Sequence, residues 1–338
     1  GILVKAYREE TDSGEERLCY QIFQRVSGPD LVGLIHALLS ASAEDLNATP
    51  LTMRKPQSHE TMRICLGATL GHGASGDVCV GIQVPDGAVF AIKGLGTSSA
   101  GSAHVAAELG VLRALRESDL LRGKWVNLEA EEWLLNERPV MKLPLFEPSR
   151  PSLWRRDHIG GVFDALRTIH AAGYIHRDIR PSNFAFKRID DRRIPLIIDF
   201  GCAIPDDGVH RHYSGSKAYA SFRFLDDDGS LNEKASFQFD ANDEMFSLVL
   251  TMFSIFMTAD GCIENQPLFC RAKPGEVRAS YRNFWTTRLP PSWLEFVTGL
   301  ETRVGVSGDG VYERVQSFLK DNLPQLPLFA HDLNDADA

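Results

Sequence analysis

The sequence predicts an α+β protein in which a small antiparallel β-sheet precedes a mainly helical part. Three short apolar runs between Thr61 and Leu95 are separated by a glycine-rich turn and by Pro85-Asp86-Gly87, as in an antiparallel meander. Residues 103–117 then have helical periodicity, and the chain is mainly helical beyond Pro151. We therefore expect one main helix beside the sheet and a helical second half.

Composition limits the class of protein. The chain has 338 residues, 43% of them hydrophobic and 24% charged, which is enough to bury a sizeable core. The net charge of −9 argues against non-specific binding to nucleic acid. The six cysteines form no CxxC pair, which favours free thiols in a reducing compartment. No apolar run approaches the ~20 residues of a membrane span. We expect an intracellular protein of the cytoplasm or nucleus.

The first 60 residues differ in pattern from the rest. Residues 31–41 (LVGLIHALLSA) follow Gly28-Pro29-Asp30 and predict a short helix. The polar stretch 47–60, with two prolines, predicts a linker or surface loop. Residues 1–60 are therefore interpreted as an N-terminal extension or as the end of an upstream domain.

The remaining boundaries follow from the later elements. Residues 126–144 predict two more strands, so the sheet-containing part is assigned to 61–144. The clearest helices are predicted at 155–172 and 243–258, within a helical part assigned to 145–325. The acidic end, 326–338, is expected to be a flexible tail.

A glycine-rich stretch is the first candidate for chemistry. LGHGASGDV places Gly71, Gly73 and Gly76 in the spacing GxGxxGxV. Glycines let a turn approach phosphates and offer main-chain N–H donors, although three glycines in a hairpin are often only a turn. The stretch lies between two strands, which disfavours a Rossmann or Walker site.

A strand lysine and a helical glutamate form the second candidate. Lys93, in the run AVFAIKGL, lies at the end of a predicted strand one hairpin after the glycine-rich stretch, where it would lie beneath bound phosphates. Such a lysine needs a carboxylate partner. Glu108 on the following helix is our choice, with Glu117 as an alternative, and a solvent-exposed glutamate remains a competing interpretation for either.

Two further stretches supply oxygen ligands. GYIHRDIRPSNFAF, residues 173–186, contains Asp178 and Asn183, and PLIIDFG ends a predicted strand at Asp199. Two carboxylates and an amide are hard ligands that suit Mg²⁺, which usually binds few protein groups together with substrate phosphates.

The order of these stretches resembles that of a protein kinase: glycine-rich hairpin, strand lysine, helical glutamate, HRDxxxxN and DFG. The resemblance covers about residues 61–300. It implies a bilobal protein-kinase-like fold, ATP and Mg²⁺ as cofactors, and a protein substrate of unknown identity.

The resemblance also implies residue roles. Asp178 would orient or deprotonate the substrate hydroxyl, with Lys93, Arg180, Asn183 and Glu108 completing the catalytic set. Magnesium would be held by Asn183 and Asp199. The residues implied for nucleotide binding are Gly71, His72, Gly73, Gly76, Val78, Ala91, Lys93, Met141 and Leu143.

Residues around this core receive supporting roles from the same resemblance. His176 is expected in a hydrophobic spine, and Arg177 is expected to reach the activation segment. Asp243 is expected to anchor the catalytic loop from the helix that it opens. Any hydroxyl of the activation segment could be phosphorylated, although most are expected to be unmodified loop residues; these are Tyr213, Ser214, Ser216, Tyr219 and Ser221.

The chain departs from the family pattern at two places. Arg180 replaces the usual Lys, which keeps the positive charge and adds a planar multi-donor head. GSKAYASFRFL stands where Ala-Pro-Glu normally closes the activation segment. Together with NDEMFSLV and NFWTTRLPPSW, this stretch resembles a divergent group that includes the kinase domains of crinkler-type effectors and fungal protein kinase-like proteins.

Three functions remain open. The leading hypothesis is an ATP-dependent protein kinase acting on Ser or Thr, because every catalytic position holds a competent residue. A pseudokinase or nucleotide-binding scaffold is the second, and a small-molecule kinase on a related fold is the third.

Overall fold

A computed structural model describes residues 2–10, 16–25, 50–73, 76–84, 86–95, 99–121, 124–189, 192–225, 236–257, 281–302 and 310–323. The helix predicted at 31–41 and the tail at 326–338 lie outside these residues. The chain divides into two compact units, residues 1–106 with 130–145, and residues 107–129 with 146–338. Within the described residues, no helix combines the length and apolar character needed to cross a membrane.

The first unit is built from β-strands. A hairpin of β1 (Ile2–Glu10) and β2 (Glu16–Arg25) forms a two-stranded antiparallel sheet. Six further strands close into a barrel in the order β3-β4-β5-β6-β8-β7. Their bounds are Leu51–Arg54 (β3), Thr61–Gly73 (β4), Gly76–Val84 (β5), Val89–Leu95 (β6), Glu131–Leu135 (β7) and Arg138–Leu143 (β8). The predicted meander and the two later strands are confirmed.

Alternate residues of these strands fill the barrel, as the two-residue repeat of a strand requires. Gly81 on β5 makes room for this core, because a Cβ there would lie 2.6 Å from the Phe90 ring and 2.7 Å from Ile92 Cδ1. Each fully buried large side chain contributes about 1.5–3 kcal/mol. The core residues are Met53, Ile64, Phe90, Ile92, Trp133, Leu135 and Val140.

Strand β3 corrects the loop prediction for residues 47–60, which is wrong at Leu51–Arg54. Met53 pairs with Met62 of β4 and with Leu135 of β7, so β3 closes the barrel. Arg54 adds an ion pair with Glu137 at the same edge. A four-residue strand whose partner lies far along the chain leaves almost no local signal in the sequence.

The main helix, α1 (Ser99–Glu117), confirms the predicted helix and begins four residues before the predicted start. Its buried side chains recur at three- and four-residue intervals, at Val105, Leu109, Leu112 and Leu115. Glu108 is buried on the same stripe.

The second unit is mainly helical. Its helices are α2 (His158–Ala171), α3 (Ala241–Met257), α4 (Tyr281–Arg288), α5 (Pro291–Glu301) and α6 (Gly310–Asn322). Short strands form two small sheets: β9 (Glu147–Pro148), β11 (Phe184–Ile189) and β12 (Arg192–Ile197) in one, β10 (Tyr174–Ile175) and β13 (Ile204–Pro205) in the other. Helix α3 is buried almost all round and packs against α5 and α6. The two predicted helices and the α+β class are confirmed.

Candidate active site

The loop between β10 and β11 carries the candidate catalytic residues. Arg177 has φ +64°, a left-handed conformation that is uncommon for a residue with a side chain. Its main-chain N–H donates to the Glu244 carboxylate on α3. A second bond from α3, Thr251 Oγ1 to Ile179 O at 3.0 Å, holds the loop from below. Buried side chains of α3 therefore stabilise this strained turn.

Asp178 lies at the centre of a set of donors. Asn183 Nδ2 donates to Asp178 Oδ2 at 2.7 Å and to the Asp178 carbonyl at 2.8 Å. Arg180 Nε lies 3.2 Å from the same Oδ2. The main-chain N–H of Ser216 donates to Oδ1 at 2.7 Å. Asp178, which is 9% exposed, is thus held in one orientation by hydrogen bonds from the Asn183 side chain and from a distant amide.

His176 supports the loop from inside. Its Nδ1 accepts the main-chain N–H of Asp178 at 3.3 Å, so its Nε2 is the donor to the Ile198 carbonyl at 3.1 Å. The ring is fully buried and packs edge-on against Phe200, with 4.8 Å between centroids. This enclosed imidazole fits the structural role expected from the sequence.

Asp199 lies near Asn183 because β11 begins where its partner β12 ends, with Phe184 paired to Ile197. The Ile198 N–H donates to the Asn183 carbonyl at 3.0 Å, one residue before Asp199. Asp199 has φ +64°, and its Oδ1 accepts the Gly201 N–H at 3.2 Å. The second unit therefore brings the side chains of Asp178 and Asn183 together, and a main-chain bond to Asn183 lies one residue before Asp199.

The barrel brings together most of the residues predicted to bind nucleotide. Strand pairing places Gly71, Val78, Lys93 and Met141 in one row across four strands. Ala91 lies two residues before Lys93, and Leu143 lies two residues after Met141. These two residues pair with each other and lie on the same face as the row. Lys93, 6% exposed, and the buried Ala91 and Met141 all lie on this face, opposite the barrel core.

The glycine-rich hairpin forms the end of that row. Its last pairs are His72 with Asp77 and Gly73 with Gly76. Gly76 has φ +100°, a conformation that glycine adopts without strain. No atom lies within 4 Å of where a Cβ on Gly71 would be, so a ligand group can approach the main chain there.

The predicted partnership of Lys93 and Glu108 stays a prediction. Glu108 is 3% exposed on α1, and both side chains are buried. The two residues fall in different compact units.

The protein-family model "Protein kinase domain" matches residues 65–266, well over half of the chain. The chain belongs to the protein kinase domain family. The match contains the barrel face and the catalytic loop, and the family generally uses ATP and Mg²⁺.

Curated relatives are distant and lie within the same family. A probable serine/threonine-protein kinase of Dictyostelium discoideum is 26% identical over 143 residues, which are 42% of this chain and 28% of that protein. Serine/threonine-protein kinase PkaA of Streptomyces coelicolor is 29% identical over 181 residues, 45% of this chain and 32% of its own. Mitogen-activated protein kinase p38b of Drosophila melanogaster is 26% identical over 190 residues, 52% of this chain and 49% of its own. The chain thus spans less than half the length of these relatives.

Asn183 and Asp199 have side chains that suit a magnesium ion whose other ligands are phosphate oxygens. Asn183 and Asp199 offer an amide and a carboxylate oxygen at adjacent positions. In the described part of the chain, no three His, Cys, Asp or Glu side chains cluster to hold a metal. Oxygen ligands of this kind suit Mg²⁺, which usually takes further ligands from substrate and water.

The residue that anchors the catalytic loop is Glu244, and the sequence-based prediction of Asp243 is wrong. Glu244 accepts the Arg177 N–H and a bond from His170 Nε2 at 2.5 Å. His170 Nδ1 is hydrogen-bonded in turn to the Tyr312 hydroxyl on α6. Although burial opposes it, the His170 bond holds the pKa of Glu244 below its ordinary value. Two adjacent acidic residues face different directions on a helix, and the sequence does not show which faces the loop.

Arg177 contacts the activation segment, as expected, through main-chain carbonyls. Its Nε donates to the Cys202 carbonyl at 2.6 Å and its Nη1 to the His212 carbonyl at 3.0 Å. The guanidinium lies 5.0 Å from the Phe239 ring centroid, and burial lowers the pKa of Arg177. These contacts hold the start of the segment against the catalytic loop.

Three of the five hydroxyls considered for phosphorylation are buried or hydrogen-bonded within the unit, and the expectation that most of the five are unmodified stays a prediction. Tyr219 and Ser221 are buried, and their hydroxyls are hydrogen-bonded inside the unit. The Tyr213 hydroxyl donates to the Ser216 carbonyl at 2.9 Å, and burial raises its pKa well above the ordinary value. Of these five residues only Ser214 is exposed.

Proposed function

We propose that this chain is an active protein kinase that transfers the γ-phosphate of Mg-ATP to Ser or Thr hydroxyls of a protein. The observation that carries the proposal is the second-unit cluster, in which Asn183 bonds both the side chain and the main chain of Asp178. Asp199 adjoins them through the Ile198–Asn183 bond. A family member with a changed function would have little reason to keep all three in this arrangement.

In the proposed reaction Asp178 Oδ2 or Oδ1 accepts the proton that the attacking hydroxyl loses. Asn183 fixes the carboxylate, so little reorganisation is needed when the substrate binds. Arg180 Nε lies 3.2 Å from Asp178 Oδ2. The planar guanidinium of Arg180 would stabilise the transferred phosphoryl group. Positioning and charge neutralisation supply most of the rate in such transfers.

The barrel face would hold the nucleotide. Lys93 would bind the α- and β-phosphates and pair with Glu108. The hairpin residues Gly71, His72, Gly73 and Gly76 would cover the phosphates with main-chain N–H groups. The adenine would lie against the apolar side chains Val78, Ala91, Met141 and Leu143. Their common register on one face supports this assignment.

Asn183 and Asp199 would bind the magnesium ion through one oxygen each. When bound, the ion neutralises charge on the phosphates and holds them in line with the hydroxyl. Because the protein supplies so few ligands, nucleotide and metal should bind together.

The finer classification also belongs to this proposal. The motifs GSKAYAS, NDEMFSLV and NFWTTRLPPSW favour the divergent group that contains crinkler-type effectors and fungal protein kinase-like proteins. The Ser/Thr assignment draws support from relatives described as serine/threonine-protein kinases. We infer an intracellular site of action, in a host cell if the chain is an effector, and an unidentified protein substrate.

We also propose the domain limits. Residues 61–144 and 145–325 would be the two lobes, 1–60 an extension or the end of an upstream domain, and 326–338 a tail. Strand β3 ties the end of the extension to the barrel.

Two paired substitutions test the function. Purified protein is incubated with Mg-ATP and a generic protein substrate, and phosphate on Ser, Thr and Tyr is measured by mass spectrometry. Asp178→Asn should lower turnover by at least about 100-fold, the usual contribution of a general base. The matched control is Asp164→Asn, because Asp164 forms an exposed ion pair with Lys124.

Lys93→Met should likewise abolish most turnover, whereas Lys187→Met, at a surface pair with Glu129, should not. Equal phosphate incorporation by wild type and Asp178→Asn would refute the enzyme proposal. Binding of Mg-ATP without transfer would favour the scaffold, and transfer only to a sugar or metabolite would favour the small-molecule kinase.

A further inference from the structure

Residues 215–224, here called the closing segment, replace the usual Ala-Pro-Glu end of the activation segment. The N-terminal end of the closing segment contacts the catalytic loop. Ser216 N–H donates to Asp178 Oδ1 at 2.7 Å, and a Cβ on Gly215 would overlap the Arg177 carbonyl oxygen. This end therefore fits closely against the residue that carries the proposed chemistry.

Arg223 fixes the other end. Its Nε donates to Asp243 Oδ1 at 2.6 Å, and its Nη2 bonds Asp243 Oδ2 and the Gln238 carbonyl, the latter at 2.7 Å. Its main-chain N–H donates to Glu301 Oε1 at 2.8 Å. The guanidinium also lies 4.4 Å from the Phe224 ring centroid. One residue thus joins the closing segment to α3 and α5.

The two carboxylates of this anchor come from different helices. Glu301, at the end of α5, also accepts the Ser221 hydroxyl at 3.0 Å. Asp243, in the first turn of α3, is buried and takes both arms of the guanidinium. Arg223 is the positive charge placed between them, so removing it leaves a buried carboxylate without its charged partner.

Two contacts hold the middle of the closing segment. Trp285 Nε1 donates to the Ala218 carbonyl at 2.6 Å, and the hydroxyls of Tyr219 and Ser254 lie 3.2 Å apart. Both are single hydrogen bonds to side chains of helices α4 and α3. They keep the fold of the segment, whereas Arg223 ties its end by a charged contact.

We propose that Arg223 is a positioning residue for phosphoryl transfer, which holds the closing segment so that the Ser216 amide stays on Asp178. The inference rests on the proposed kinase function and deepens it. Arg223 touches no reacting atom. It acts by fixing the segment on which a protein substrate would lie next to Asp178.

The test compares Arg223→Ala and Arg223→Lys with Arg193→Ala. Arg193 forms a partly exposed ion pair with Glu147 at 2.8 Å, and it is the matched control. Loss of a charged hydrogen-bonded anchor should lower kcat/KM for the protein substrate by about 10- to 100-fold. The KM for ATP should change less than about twofold, because the Arg223 contacts described above are made with residues of the second unit. Arg223→Lys keeps the charge but not the fork, and should recover part of the loss.

Hydrogen exchange of the Ser216 amide provides a readout that needs no activity. Exchange should be faster in Arg223→Ala and intermediate in Arg223→Lys at a temperature where both are folded by circular dichroism. Should Arg223→Ala not fold, Arg223→Lys alone decides the matter by the same two readouts. An inactive wild type would count against the proposed function, and the exchange rates would still test the anchor.

Two results overturn the inference. In the first, folded Arg223→Ala or Arg223→Lys keeps the wild-type kcat/KM for the protein substrate, and its Ser216 amide exchanges hydrogen at the wild-type rate. The other is an equal loss for ATP and for protein substrate, because that pattern indicates a general structural role.

Discussion

Gly215 offers a sharp test of how the closing segment meets the catalytic loop. A Cβ at this position would overlap the Arg177 carbonyl oxygen and lie 2.7 Å from the Tyr213 hydroxyl oxygen. Neither neighbour yields easily, since the carbonyl is main chain and the Tyr213 hydroxyl is bonded to Ser216 O. Gly215→Ala should therefore displace the segment by about an ångström, enough to break a hydrogen bond.

The magnitude follows from the bond that would be lost. The Ser216 N–H donates to a carboxylate, and bonds to charged groups contribute about 1.5–3 kcal/mol. Gly215→Ala should lower the free energy of unfolding by about that amount. If Asp178 must be held in one orientation for transfer, kcat should fall by about 10- to 100-fold.

The assay is urea unfolding combined with turnover and with hydrogen exchange of the Ser216 amide. Gly110→Ala is the matched control, because Gly110 is an exposed residue inside α1 with no atom within 4 Å of a Cβ. That substitution should stabilise the protein by about 1 kcal/mol through helix propensity. Wild-type stability and unchanged Ser216 protection in Gly215→Ala would refute the reasoning.

Three further outcomes are expected. Glu244→Gln should lower the free energy of unfolding by about 2 kcal/mol or more at pH 7. Because the folded-state pKa of Glu244 lies below its ordinary value despite burial, the stabilisation from this carboxylate is present above the ordinary pKa and is lost as the pH falls through the folded-state pKa. The variant should therefore have a flatter acid profile in urea titrations. Burial raises the pKa of the Cys202 thiol to about 11, so iodoacetamide should label it about 100-fold more slowly at pH 8 than an ordinary thiol, and comparable labelling of Cys202 and a model peptide would contradict this. A chain starting at residue 61 should melt about 5–10 °C below one starting at residue 50, because it lacks β3 and the buried Met53, and equal melting temperatures would show that β3 is dispensable.

Much of the fold follows from local patterns. The alternation in β4, β5 and β6 and the helical spacing in α1 are properties of short windows, and each appears where it was expected. The neighbourhood of Asp178, Asn183 and Asp199 also follows, because a hairpin joins the two stretches that carry them. Spacing along the chain is enough when the elements between two residues are short and regular.

The remaining features depend on contacts between distant residues. Strand β3 has only four residues, and its pairing with β7 is decided by the closure of the barrel. Glu244 and Asp243 are adjacent in sequence, yet they bind different partners, because helix α3 presents them to opposite sides. The bond from the Ser216 main-chain N–H to Asp178 does not depend on the side chain at position 216, so the sequence does not reveal it. Such features need the tertiary structure.

The closed barrel has a consequence for recognition. Each of its six strands has two hydrogen-bonded neighbours, so the barrel has no open edge along its circumference. An unpaired edge is where another chain can add a strand, either in a specific complex or in aggregation. Within this barrel, therefore, a partner protein must bind side chains rather than extend the sheet. Among the described residues of the first unit, the two-stranded sheet of β1 and β2 differs from the barrel in that its strands pair only with each other.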